Sequence, residues 1–338
     1  MLTGWPRRSK KRWKAYLYLS DPGDKMAKLS RDFMEELVFD KKIQDEQVVM
    51  GPAYGEDAAV IDIGDTFLVA HSDPISGAVK NIGWLAINIA ANDIAVSGAQ
   101  PRWALLTVQF PSDVSDETVK DIILDLYEAS AAMDIDIIGG HSETVDSIKQ
   151  PLVTTSLLGT TKDPVYTCEA EPGDKIVQID EAAIEGTWIL ASEYGEELLE
   201  RGLDDKIISE GGSLRGDISI VGSALEIKDT VNSMHDPTEG GIFQGLYEMA
   251  SASKNTFNIR SKPDLKDCTE EICANLGIDP CKLISSGCLL ATVPDGAQLD
   301  EGRVIGTVEE GDPSVIYEGE EIEPVYEDEL FKAIRELD

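Results

Sequence analysis

Apolar residues recur at helical spacing early in the chain. Leu29, Phe33, Leu37 and Val38 fall at i, i+4, i+8 and i+9, which predicts a helix over 29–47. A turn-rich stretch, Gly51-Pro52-Ala53-Tyr54-Gly55-Glu56-Asp57, then leads into a strand over 58–63. Gly64-Asp65 is a tight turn and 66–73 reads as a second strand, so the two make a hairpin. Residues 81–97 (NIGWLAINIAANDIAVS) form an apolar helix closed by Gly98. A strand at 103–110 and an amphipathic helix at 113–132, capped by Ser115 or Asp113, follow. A short strand at 135–138 precedes Gly139-Gly140, and another strand covers 151–160. Chain breakers cluster at 162–175 and mark a boundary. Beyond it the pattern predicts strands at 175–179 and 186–190 and helices at 193–203 and 218–228. After the loop 235–241 come helices at 242–253 and 267–276 and strands at 287–293 and 303–308. Strands and helices intermix in both halves, so the fold class is α+β (mixed α/β) with two domains.

Charge changes the picture. The 338 residues hold 64 acidic and 29 basic side chains, a formal net charge of −35. Duplex binding needs clustered Lys and Arg against phosphate, so a nucleic-acid partner is excluded. No stretch approaches the roughly 20 apolar residues of a membrane helix, so no membrane span is expected. Self-repulsion on this scale is relieved by counter-ions. The charge therefore reads as a halophile-like adaptation to a salty cytoplasm, or as plain acidic solubility. Residues 1–25 run the other way, with seven Lys or Arg and two Asp. This head lacks the apolar core of a secretory signal. It reads as a basic anchoring tail or as the product of an upstream start, the conventional chain beginning near Met26. Five cysteines, Cys168, Cys268, Cys273, Cys281 and Cys288, with no secretory signal, point to a reducing cytoplasm. The last four are spaced C-x4-C, C-x7-C and C-x6-C, which is not the paired spacing of a zinc ribbon.

Three carboxylates sit where an element gives way to a turn or where charge is costly. Asp57 follows the glycine-rich loop, Asp73 ends a strand, and Asp93 lies inside the apolar helix beside Asn92. A charge on a buried face must be paired or bind a metal. Converging carboxylates suit Mg2+, a hard ion that prefers oxygen, and Mg2+ suits nucleotide phosphates. Singly, Asp57 and Asp73 read equally as turn or cap residues. Gly139-Gly140-His141-Ser142-Glu143-Thr144 follows a strand, and Gly240-Gly241 opens a helix after His235-Asp236-Pro237-Thr238. Such loops let backbone N–H groups approach phosphate. No Walker A, no G-x-G-x-x-G and no G-x-S-x-G is present.

In this order the segments resemble the superfamily of aminoimidazole ribonucleotide (AIR) synthase, thiamine-monophosphate kinase, selenophosphate synthetase and the hydrogenase maturation protein HypE, over about residues 29–310. Gly55-Glu56-Asp57-Ala58-Ala59-Val60 resembles that family's G-D-D-A-A-V, and His71-Ser72-Asp73 its T-T-D. Asn92-Asp93-Ile94-Ala95 with Gly98-Ala99-Gln100-Pro101 resembles N-D-[IL]-A-x-x-G-A-x-P. Asp236-Pro237-Thr238-Glu239-Gly240-Gly241 is similar to the D-P-T-R-G-G of the HypE branch. The resemblance implies an enzyme that uses ATP and Mg2+ to phosphorylate an amide or similar oxygen of a small-molecule or protein-borne substrate. It implies a homodimer whose N-terminal sheets pair into a barrel. It implies Asp57, Asp73, Asp93 and Asp236 as metal ligands, and Ser72, Asn92, Gly139, Gly140, His141, Glu143, Thr238 and Gly240 around the nucleotide. The expected organisation is a basic extension over 1–28, an ATP-binding domain over 29–163, a second domain over 164–312 and an acidic tail over 313–338.

The departures bear on the reaction. His141 stands where the kinase and HypE branches have Asp, with Glu143 as its replacement. The chain ends Arg335-Glu336-Leu337-Asp338, without HypE's terminal cysteine, and no cysteine precedes Cys168 as selenophosphate synthetase would have. Cys281 reads as a core thiol or as an acceptor thiol. Glu239 supports a thiamine-monophosphate kinase, whereas His141 supports a non-catalytic nucleotide-binding assembly protein. From charge alone, stability should rise steeply with salt. A melting temperature that stays flat from low to molar KCl would remove the halophile reading.

Overall fold

A computed structural model describes residues 34–75 and 81–337. The basic extension over 1–28 and the predicted helical positions Leu29 and Phe33 lie outside the described residues. The chain divides into two compact units, 1–42 and 43–338. In the first, the described residues form a π-helical turn, Glu35–Phe39, closed by the Asp40 N–H donating to the Glu35 carbonyl and the Lys41 N–H donating to the Val38 carbonyl. The helix predicted over 29–47 therefore stops at Asp40. None of its described residues is buried, so no tertiary face holds a longer helix against its nucleation cost.

The second unit holds two sheets. The first comprises β1 (Val48–Met50), β2 (Ala59–Asp62), β3 (Phe67–Ile75), β4 (Gln100–Pro111), β5 (Asp136–Val145) and β6 (Leu152–Thr161), in the order β1-β2-β3-β6-β4-β5. Every pairing is antiparallel except β4 with β5. The second comprises β7 (Lys175–Ile179), β8 (Ser233–His235), β9 (Thr256–Ile259), β10 (Leu289–Val293), β11 (Arg303–Glu309), β12 (Ser314–Tyr317) and β13 (Glu320–Ile322). Its order is β13-β12-β9-β11-β7-β10-β8, with only β12 and β9 parallel.

Helix α1 (Ile82–Val96) joins the two halves. All of its residues except Trp84 are buried. A helix apolar on every side must be covered on every side. Ile82, Ala86, Ala90 and Ile94 pack with Val60, Val69, Val153 and Leu157 of the first sheet. Leu85 and Ile89 pack with Ile184 and Trp188, while Ala95 and Val96 pack with Val177, Ile220 and Leu289. Asn92 fastens this junction. Its Nδ2 donates to the Ile218 carbonyl at 2.9 Å and its Oδ1 accepts from the Ile220 N–H at 3.0 Å. Helix α2 (Asp116–Ala132) covers the sheet beside α1 and carries the Ser115 cap, which accepts from the Thr118 N–H. Arg215 pairs with Asp125 of α2 at 2.7 Å and lies 4.4 Å from the Trp84 ring centroid.

Two sequence expectations fail for local reasons. Residues 186–190 are helical, within α3 (Ile184–Glu193). A short run buried on all sides has no periodicity to separate strand from helix, and Ile184 through Ala191 are all buried. The strand predicted at 135–138 continues through Gly139-Gly140 as β5, so that stretch is no loop. The glycines sit at a bulge, where the β4 register shifts between Ala104 and Leu105. Gly140 has φ +148, and a Cβ there would fall 1.9 Å from the Leu106 carbonyl oxygen.

Helices α4 (Gly195–Glu200), α6 (Val221–Ile227), α7 (Gly241–Ser253) and α8 (Asp267–Leu276) form where helices were expected, whereas helix α5 (Asp205–Gly212) and strands β1, β8 and β9 were not anticipated. The acidic segment expected as a tail forms β12, β13 and helix α9 (Glu329–Leu337). Val315, Leu330 and Ala333 are buried, so its spaced apolar residues outweigh its charge. Gly140→Ala should cost about 2 kcal/mol or more, the scale of a strained backbone position plus a displaced strand; urea unfolding measures it.

Candidate functional site

Asp57, Asp93 and Asp236 converge. One oxygen of each lies within 4.8 Å of the others. Asp57 is carried by the loop before β2. Gly55 there has φ +83, and a Cβ would meet the Glu248 carbonyl oxygen at 2.7 Å, so only glycine lets the loop lie on α7. Glu56 pins the same loop by accepting from the Thr167 N–H at 3.2 Å and the Cys168 N–H at 2.9 Å. Asp93 comes from the buried helix α1, and Asp236 follows β8.

Three crowded carboxylates need positive charge. His235 supplies it, and His71 packs beside it. His235 places Nδ1 2.9 Å from Asp57 Oδ2 and Nε2 3.1 Å from Glu248 Oε2. Both ring nitrogens can donate only in the imidazolium. Burial alone would depress the pKa of His235, but Asp57 and Glu248 overcome it and hold the ring well above its ordinary range. His71 places Nδ1 2.5 Å from the Asp57 carbonyl oxygen and Nε2 3.2 Å from Asp93 Oδ2. Behind Glu248, Gln244 donates to Glu248 Oε1 at 3.0 Å and to the Tyr54 hydroxyl at 3.2 Å.

Asp236 is left over. It is 1% exposed, and among the described residues neither carboxylate oxygen has a hydrogen-bond partner. Burial, and then the charges of Asp93 and Asp57, push its carboxyl well above the usual carboxylate range. Two idle, buried oxygens within a carboxylate trio match the needs of a hard divalent cation. The residues present therefore fit Mg2+, which Asp57, Asp93 and Asp236 would hold.

The remaining candidate residues fall elsewhere. Asp73 lies near Glu185, whose carboxyl its charge helps to raise, and is not one of the trio. Ser72, alternating with His71 and Asp73 along β3, bonds Ser156 at 2.8 Å on the other face. Asn92 is fully engaged at the α1 junction. Gly139 and Gly140 lie in exposed β5, as do His141 and Glu143, which pair at 3.5 Å. The Glu143 carboxyl is lowered by a hydrogen bond from Gln109 and then by His141. The Thr238 carbonyl accepts from the Gly241 and Ser285 N–H groups. The Gly240 N–H, expected at phosphate, donates to Asp328 Oδ2 at 2.6 Å. Cys281 is buried in the core, and burial followed by Asp279 pushes its thiol up to about 12.

Sequence reasoning missed His235, Glu248 and Asp328. His235 immediately precedes the Asp-Pro-Thr motif, a signal that was available. Glu248 and Asp328 carry none, since a Glu on a helix and an Asp in an acidic stretch ordinarily face water.

Comparison with known proteins gives the chain a family. The AIR synthase related protein N-terminal domain matches residues 55–161 and the C-terminal domain matches 171–318. The chain belongs to the AIR synthase related family. A hydrogenase expression/formation protein, so named, of Methanocaldococcus jannaschii is 27% identical over 273 residues, covering 77% of this chain and 79% of its own length. A thiamine-monophosphate kinase of Pyrococcus abyssi is 26% identical, covering 80% of this chain and 87% of its own. The hydrogenase maturation protein HypE in complex with ATP shares the fold, with a TM-score of 0.63 at 17% identity, covering 86% of this chain and 92% of that one.

A carboxyl raised above its unfolded value destabilises the fold as pH climbs through the ordinary carboxylate range. Asp236→Asn should therefore raise the metal-free melting temperature by several degrees near pH 7, the gap closing toward about pH 4. MgCl2 should raise the melting temperature of the parent chain and not of the variant. Differential scanning fluorimetry reads both.

Proposed function

We propose that this member of the family is a Mg2+-dependent, ATP-binding enzyme that activates an amide or similar oxygen by phosphorylation. The observation carrying this reading is the buried Asp57–Asp93–Asp236 trio with both oxygens of Asp236 unpartnered. Family membership supports ATP-dependent chemistry. When bound, Mg2+ supplies neutralisation of charge on a transferring phosphoryl group. The chain's own residues prepare for it. His235 holds Asp57 from one side and is itself held by Glu248. His71 holds the backbone of Asp57 and the side chain of Asp93. Burial of α1 excludes water around Asp93.

Partners are inferred from the fold. The first sheet has one face covered by α1 and α2, while Leu105 (41% exposed) and Ile138 at the adjacent bulge (54%) are open. We infer that this face pairs with a second copy. Among the described residues no helix is long and apolar enough to cross a membrane.

Calorimetric titration of Mg-ATP in high KCl should show binding that Asp93→Asn abolishes. Absence of binding in the parent chain would leave a protein with the family's fold and no nucleotide chemistry. Product analysis with thiamine monophosphate tests the kinase reading, which Glu239 and the Pyrococcus relative favour; formation of the diphosphate would replace the amide reading.

A further inference from the structure

The chain has three histidines, and their ring nitrogens are unequally committed. His141 lies on exposed β5 against Glu143. His235 has both nitrogens engaged, one by Asp57 and one by Glu248. His71 has one nitrogen to spare. Its Nδ1 is 2.5 Å from the Asp57 carbonyl oxygen, which can only accept, so the ring carries its hydrogen there. Its Nε2 is buried and, among the described residues, has no hydrogen-bond partner.

That idle nitrogen faces a carboxylate. Asp93 Oδ2 lies 3.2 Å away, but off the direction in which an N–H on Nε2 would point. A lone pair set against a carboxylate oxygen is repelled unless a cation lies between them. The distance decides between readings. Two donors bound about 2.1 Å from one ion, at angles of about 90–109°, stand about 3.0–3.4 Å apart. A charge-assisted hydrogen bond would be in line and about 2.7–2.9 Å long. Spacing and direction both match two ligands of one ion, and neither matches an ion pair.

The fold brings this nitrogen to the trio. Side chains alternate along β3, so His71 turns toward α1 while Ser72 bonds Ser156 on the far face. Among the described residues the three carboxylates alone meet within 4.8 Å, and His71 borders them from the Asp93 side. Asp236, with both oxygens idle, is within electrostatic reach of the same ring.

We propose that His71 is a further ligand of this metal site, binding through Nε2, and that the site therefore favours a divalent ion of the first transition series over Mg2+. Mg2+ takes oxygen donors and would use the carboxylates alone, whereas imidazole nitrogen suits the borderline ions. The Nδ1 hydrogen bond to a backbone carbonyl is the outer contact that fixes the tautomer of a ligating histidine. The assignment rests on the metal reading above and names the ion the site selects; the nucleotide plays no part in it.

Electron spin-echo envelope spectra of Mn2+ bound to the full chain test this directly, because a ligating nitrogen adds its own modulation. The parent chain should show nitrogen modulation that changes when histidine is labelled with 15N. His71→Asn should abolish it, since asparagine keeps an N–H near the place of Nδ1 and has nothing at Nε2. Calorimetry should show Co2+ binding weakened about tenfold or more in His71→Asn, at least the scale of losing an outer contact of a metal site, with Mg2+ binding within about twofold of the parent. Mn2+ bound without nitrogen modulation, modulation that survives His71→Asn or ignores the histidine label, or equal losses of Co2+ and Mg2+ would overturn the assignment and leave the metal reading standing. Where His71→Asn does not fold, the labelled parent chain decides alone. A parent chain that binds none of the three ions would overturn the metal reading, and this assignment with it.

Discussion

Burial of α1 is the constraint on which the rest depends. Ile82, Leu85, Ile87 and Ile94 are each at most 1% exposed. Each contributes about 1.5–3 kcal/mol by leaving water. That sum is large enough to carry Asp93 inside, where an unpaired charge costs several kcal/mol. Because the helix is apolar all round, both halves of the second unit must close on it, and the closing surfaces bring Asp57 and Asp236 to Asp93. The carboxylate trio is thus a consequence of how the core packs.

Two histidines hold this arrangement in place. His235 is gripped at both nitrogens, and His71 binds the backbone of one acid and faces the side chain of another. Asp236 receives neither kind of help, which is why its two oxygens remain idle. A centre that keeps one buried carboxylate without a partner is prepared for a divalent ion. Its rigidity comes from contacts further out: Glu56 on the Thr167 and Cys168 amides, Gln244 behind Glu248, and Asp328 across the Gly240 and Ile284 amides.

Asp328 also shows how a familiar motif can be filled from within. A glycine-rich turn opening a helix suggests phosphate, yet here a carboxylate from the acidic end of the chain already accepts the Gly240 N–H. The end of the chain becomes part of the site's frame through Leu330 and Ala333, whose burial brings Asp328 to this turn. The Gly139-Gly140 pair illustrates the same point differently, serving a strand bulge against β4.

The sequence by itself determined the mixed architecture, the α1 helix, the hairpin of β2 and β3, and the presence of Asp57, Asp93 and Asp236 in motifs whose order resembles the family. These signals are local: periodicity, turn chemistry and a charge set in an apolar run. Only the tertiary structure decided which acids meet. Asp73 leaves the trio for Glu185 because residues two apart on a strand share a face yet reach different neighbours. Asn92 serves the junction because two backbone groups of the second half come within its reach. Helix α3 escaped notice because a segment buried on every side has no polar face to reveal its period, and His235 gained its role only when α7 brought Glu248 to its far nitrogen. Pairing between distant residues is fixed by packing, and packing has no periodicity along the chain.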